Sequence, residues 1–147
     1  MKRLLFWGYV LLLVSGLMLL TGCDYGGDVR ERDAKIRSIA AAGTFRALPM
    51  ECYSSCTMEI GLYRQGLICV YPNARFHFHG TMKKINGEHV PIFGDEKDKY
   101  DEWVGKHYPP NLKRWWDNHA RWTVGLTNFE TLTGQQIHDM DNEVPLC

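Results

Sequence analysis

The chain has 147 residues, which is enough for one domain. Its 17 lysines and arginines balance 17 aspartates and glutamates, so the formal charge is zero and no basic excess points to nucleic acid. No internal repeat, low-complexity segment or long linker divides it.

Lys2 and Arg3 precede an uncharged stretch from Leu4 to Leu20. That run is near the lower limit for a membrane-spanning helix, and the positive start with small residues before Cys23 favours an export signal. Leu20-Thr21-Gly22-Cys23 resembles the lipobox of bacterial lipoproteins. The resemblance implies a signal peptide over 1–22, diacylation of Cys23 as the mature N-terminus, and a membrane partner through the lipid. In the resembling lipoproteins, aspartate directly after the cysteine is associated with inner-membrane retention, and Asp24 stands there. This implies a periplasmic, inner-membrane location in the bacterial envelope. Two other readings stay open: an uncleaved anchor, and Leu17–Leu20 as a buried strand feeding the glycines that follow. With Lys2 and Arg3 removed, the net charge falls to about −2.

The remaining domain, 23–147, begins with Gly26-Gly27-Asp28-Val29. Apolar spacing predicts a helix from Asp28 to Ala42, stopped by Gly43. Thr44–Leu48 reads as a short strand ended by Pro49. Ser54–Leu62 reads as a helix broken by Gly66, and Leu67–Tyr71 as an apolar strand. Pro72-Asn73-Ala74 makes a turn before a strand over Arg75–His79. The order is that of an α/β layer structure. Asn86-Gly87 predicts a hairpin turn within Lys83–Ile92. A charged helix over Asp95–Lys106 follows, its acidic run a solvated face. Tyr108-Pro109-Pro110 breaks it and opens a helix through Asn118. Thr133 is a usable cap for a last helix reaching Met140.

Four cysteines besides Cys23 remain: Cys52, Cys56, Cys69 and Cys147. An exported protein permits disulfides, but four cysteines allow three pairings. A Cys52–Cys56 bridge would constrain the turn it encloses; buried free thiols are the plainer reading.

Gly-Gly-Asp-Val, a helix, a strand, Cys-Tyr-Ser-Ser-Cys, a second helix and a strand ending Phe-His-Phe-His-Gly occur here in one order. That order resembles small periplasmic or membrane-linked proteins related to the Clp protease proteolytic subunit, within the crotonase-like fold. The resemblance covers Gly26 to His79. It continues weakly through His107-Tyr108-Pro109, Trp116, Gly125-Leu126-Thr127 and Leu132-Thr133-Gly134. It implies an α/β fold, partial at its N-terminus, with a short parallel sheet flanked by helices and a helical C-terminal region. It also implies a serine peptidase-like hydrolase acting on peptide or other acyl substrates, with no cofactor and no metal site. Relatives assemble into rings or trimers, so a homo-oligomer is implied as well.

Carried over, Ser54 matches the nucleophile and His79 the general base. Backbone N–H groups of Gly26 or Gly27 and of Ser55 match the oxyanion hole. His77, two residues earlier on the strand, is a substitute base. No clear match exists for the acidic third member: Asn128 and Glu130 are the polar choices nearby. Each residue also has a plainer role. Ser54 would cap a helix, His79 would bond backbone, and Gly26-Gly27 would be a flexible junction. His77 and His79 also have a chelating spacing, without a supporting motif. The tryptophans at 103, 115, 116 and 122 read as core anchors or a partner surface. The different-class alternative is a catalytically inactive envelope lipoprotein with a binding or assembly role.

Overall fold

Asp28 starts the first helix because its carboxylate is better used on backbone than on solvent. Oδ1 accepts from the N–H of Arg30 at 2.8 Å and of Glu31 at 3.3 Å, closing the exposed amino end of α1 (Val29–Ala42). The computed structural model describes residues 23–24 and 26–147. The signal peptide expected over 1–22 lies outside the described residues. Among the described residues no helix is long and apolar enough to cross a membrane.

The protein is mixed α/β, with helices around small sheets. The main sheet has four strands in the order β1 (Cys23–Asp24), β3 (Glu51–Tyr53), β5 (Arg75–Phe78) and β8 (Glu130–Thr133). The first three are parallel and β8 is antiparallel to β5. One short parallel strand precedes the glycines, in a fold expected to be partial at its N-terminus: Cys23 pairs with Glu51 and Asp24 with Cys52. The C-terminal region is not only helical, because it also supplies β8.

A second, two-stranded parallel sheet joins β2 (Arg46–Ala47) to β4 (Ile68–Cys69). The hairpin of β6 (Met82–Ile85) and β7 (Glu88–Pro91) turns at Asn86-Gly87, where φ is 50° and 86°. Two consecutive left-handed residues match the twist of the strands they join, and Asn-Gly accepts that conformation readily. Helices α2 (Gly94–Gly105), α3 (Pro110–Asn118) and α4 (Gly134–Met140) complete the fold. Thr133 caps α4 in a reciprocal box with Gln136.

Ser54–Gln65 is helical but wound as a 3-10 helix rather than an α-helix. Its hydroxyl partner suits that tighter winding, since Thr57 Oγ1 donates to the carbonyl of Ser54, three residues back, at 2.7 Å. Ser55 to Leu62 are all buried, so tertiary packing rather than local propensity fixes this segment.

Strand β5 divides core from site. Phe76 and Phe78 point into the core, which includes Leu48, Met58, Ile60, Leu112, Trp116 and Ile137. His77 and His79 alternate to the other side. Trp116 is core and Trp103 and Trp115 are partly buried, whereas Trp122 is 61% exposed beneath the cations of Lys97 and Arg121. Two disulfides form among the described residues. Cys52–Cys56 spans a turn, and Cys69–Cys147 ties β4 to the last residues. A Val70–Leu146 bridge and two backbone hydrogen bonds lie alongside the second.

One buried ion network locks these layers. Arg32 on α1 reaches both oxygens of Asp24 at 2.8 Å. It also bonds the fully buried Glu59 of the 3-10 helix at 2.5 Å. Lys35 Nζ, at 2.9 Å, adds positive charge to Glu59. Arg46 Nη1 lies 3.2 Å from Glu59 Oε2 but outside hydrogen-bond geometry, so it contributes charge rather than a directed bond. Burial alone would raise the Asp24 carboxyl, but the bonds from Arg32 and the Gly26 N–H outweigh it and hold it below the ordinary value.

Removing one partner of such a cluster leaves uncompensated buried charge. Arg32→Ala should therefore destabilise the protein by about 3–5 kcal/mol. The measurement is the urea midpoint at neutral pH, and a loss under about 1 kcal/mol would show the network to be solvent-screened.

Candidate active site

Ser54 leaves β3 with φ at 54°, a left-handed conformation for a non-glycine residue. Such a residue costs of order 1–3 kcal/mol and persists only where its surroundings over-determine it. Here they do. The Cys52–Cys56 bridge encloses it, with both cysteines fully buried. Thr57 takes its carbonyl.

Gly26 packs against the opposite side. A Cβ on Gly26 would sit 2.7 Å from the Tyr53 carbonyl oxygen and 2.8 Å from the Ser54 Cβ, and Gly26 itself has φ of 88°. Only glycine fits that space and that backbone. The loop is pinned from both ends of one residue: the Gly26 N–H donates to Asp24 Oδ1 at 2.9 Å, and Arg32 Nη2 donates to the Gly26 carbonyl at 3.2 Å.

His79 follows β5. Its Nε2 lies 2.7 Å from Ser54 Oγ, and its Nδ1 lies 2.5 Å from the carbonyl of Gly80. A carbonyl only accepts, so Nδ1 carries the proton. Nε2 is then left with its lone pair toward the serine hydroxyl. Gly80 is held in turn, its N–H within 3.2 Å of both the carbonyl and hydroxyl of Thr123. A Cβ there would lie 2.5 Å from the carbonyl oxygens of Arg121 and Thr123. Burial lowers the pKa of His79; the Gly80 bond opposes this, while His89 and Lys97 add to it. The imidazole is thus neutral near pH 7.

The remaining expected residues separate by role. Ser55 is buried beside the serine, and its N–H belongs to the first turn of a helix, where donors lack intrahelical acceptors. Its hydroxyl has no partner among the described residues. Gly27 lines the cleft, with no partner for its N–H among the described residues. Gly26 is corrected as an oxyanion donor, because Asp24 already takes its N–H. Gly26 serves instead as the close-packed seat of Ser54. His77 is also corrected as a substitute base. Its Nε2 bonds Glu51 at 2.7 Å and its Nδ1 bonds Thr131 at 2.9 Å, while its ring stacks on Tyr53 at 4.0 Å. Neither Asn128 nor Glu130 supplies the third member, since the Gly80 carbonyl occupies that place. The side chain of Cys23 is not described.

Residues without an obvious sequence signal complete the site. Phe129 sets its ring edge against His79, with centroids 5.3 Å apart. Met82, Lys84 and His89 of the hairpin line the same open cleft, which has a volume of about 930 Å³. Asp24 and Arg32 hold the glycine loop. Only Arg32 lay in a readable pattern, inside the helix that apolar spacing predicts, four and seven residues before Ile36 and Ile39 and so on their face.

Comparison with family models, known proteins and solved structures finds no match to this chain.

The packing at Gly26 yields a direct test. Gly26→Ala should displace the serine and slow its modification by an electrophile about a hundredfold, as a 1 Å misplacement of a reacting group does. The rate of covalent labelling of Ser54 in the folded variant reads this. An unchanged rate would separate the loop from the serine.

Proposed function

We propose that this protein is a serine hydrolase of the Clp-protease/crotonase-like type, acting on peptide or other acyl substrates from the bacterial envelope. The observation that carries it is the 2.7 Å contact of Ser54 Oγ with the acceptor nitrogen of a neutral imidazole. The parallel β1–β3–β5 arrangement, the glycine seat beside the serine and the histidine at the end of β5 support the family reading.

In this reading Ser54 Oγ attacks the acyl carbon while its proton passes to His79 Nε2. His79 then gives that proton to the leaving group. Water hydrolyses the acyl-serine by the reverse roles. N–H groups of Ser55 and Gly27 stabilise the tetrahedral oxyanion. Lipidation of Cys23 would place this chemistry at the membrane face: three Cα steps separate Cys23 from Gly26, a span of at most about 11 Å. The proposed anchor thus adjoins the site without a linker.

A second reading is favoured by one feature. The Gly80 carbonyl orients the imidazole but carries no negative charge to stabilise the imidazolium, as a carboxylate would. A catalytically silent envelope lipoprotein that binds through the cleft would keep this geometry.

Labelling with a fluorophosphonate distinguishes the two. An active hydrolase is modified at Ser54, and Ser54→Ala and His79→Ala both abolish the signal; a folded protein that ignores the probe is the binding lipoprotein. The pH dependence is a further check. Protonated His79 cannot accept the serine proton, and burial lowers its pKa. The labelling rate should rise with pH through an inflection below 6.5 and be level above neutrality. An inflection above 6.5 would contradict the buried, neutral base.

A further inference from the structure

Across the cleft from the catalytic loop stands the β6–β7 hairpin, whose residues alternate between two faces. Lys84 pairs directly with His89 across the ladder, and both line the cleft that holds Ser54. The other cations of the lining already have anions. Arg30 lies 3.5 Å from Asp28, and Lys83 lies 2.6 Å from Glu96. Lys84 has no carboxylate within ion-pair distance among the described residues. Among the described residues Asp28 is the one carboxylate lining the cleft, and its Oδ1 is committed to capping α1.

His89 and His79 line the same cleft, which places the hairpin face opposite the base. Apolar surface from Val29, Val104, Leu126 and Phe129 fills the rest of the wall. The cleft therefore combines an acyl-transfer centre, an apolar lining and one uncompensated ammonium.

We propose that the cleft selects acyl substrates bearing a carboxylate, which Lys84 and His89 hold while Ser54 attacks the acyl carbon. This rests on the hydrolase reading above. A carboxylate fits better than a phosphate. Among the described residues the one guanidinium in the lining is engaged by Asp28, and the hairpin face of the cleft presents neither the arginine fork nor the backbone cradle that phosphate sites draw on. A lone ammonium is a point charge suited to a monoanion. An acidic peptide side chain and a dicarboxylic acyl group share this chemistry.

The test uses two fluorophosphonates that differ only at the far end of the alkyl chain, a free carboxylate against its methyl ester. Each is made with a short and a long chain. The full-length protein is titrated with both, and the inactivation rate constant at Ser54 is read. The carboxylate probe should react about fivefold faster than its ester, the size expected of one exposed charge pair, and salt should erase the difference. Lys84→Gln should bring the ratio to one and Lys84→Glu should invert it. Lys99→Gln, on an exposed α2 lysine outside the cleft lining, should keep it.

The same comparison with acidic and neutral acyl-peptide amides, and with dicarboxylic and monocarboxylic acyl esters, separates the two sources of the carboxylate. Equal rates for both fluorophosphonates, or a preference that survives Lys84→Glu, would overturn the assignment and leave the hydrolase standing. No reaction with any probe would overturn the hydrolase and this assignment together.

Discussion

The Arg32 guanidinium is the interaction on which the site depends. It sits in the first helix, yet its bonds go to the strand before it, to the glycine loop and to the 3-10 helix that begins at Ser54. The strand and glycine loop just before the helix and the 3-10 helix that holds Glu59, 27 residues beyond Arg32, are thus referred to one planar group with fixed donor directions. Buried ion pairs are weak evidence for stability, because desolvation offsets much of their attraction. Their clearer consequence here is geometric. A hydrophobic residue at 32 could fill the volume, but it could not hold the Gly26 carbonyl and the Glu59 carboxylate at set distances.

The serine and its base show the same economy of parts. Ser54 is kept in a left-handed conformation by a short disulfide loop on one side and a glycine on the other. His79 receives its orientation from the next residue in the chain, not from a distant acid. A backbone carbonyl fixes the tautomer as a carboxylate does, but as a neutral acceptor it would offer less to the imidazolium of the proposed reaction. Burial works in the same direction by favouring the neutral ring. The outcome is an imidazole whose Nε2 is free to accept at neutral pH.

Local signals in the chain were legible where a single turn carried them. Asn86-Gly87 made its hairpin, Thr133 its cap, Asp28 its helix start, and Ser54 met His79. Long-range pairing was not legible. β1, β3 and β8 span two to four residues each, too few to show a period, and Glu130 and Thr131 are exposed. The winding of Ser54–Gln65 could not be read either, because helical spacing looks alike for α and 3-10 turns over so few residues. Cys52–Cys56 and Cys69–Cys147 were one of three pairings, decided only by three-dimensional proximity. Arg32 and Glu59 were not legible as partners for a related reason. Charged residues in a helix read as surface until a partner of opposite sign is placed beside them.

The two walls of the cleft differ in kind, and the difference orders the chemistry. The catalytic wall is built from sheet, disulfide and ion network, with Cys52, Cys56 and Glu59 at zero exposure. The facing hairpin has no buried residue from Met82 to Pro91 and is tied down at its margins, by Thr81 to Asp101 at 2.6 Å and by Lys83 to Glu96. Substitutions on the first wall perturb packing that sets the serine and its base. Substitutions on the second change which group faces them at little cost to the core. In the proposed hydrolase, a serine centre held rigidly against an exposed, charged ladder would keep one reaction while its substrate preference is altered at single positions. The residues free to alter it are those on the cleft side of the hairpin, where Met82, Lys84 and His89 alternate toward the site.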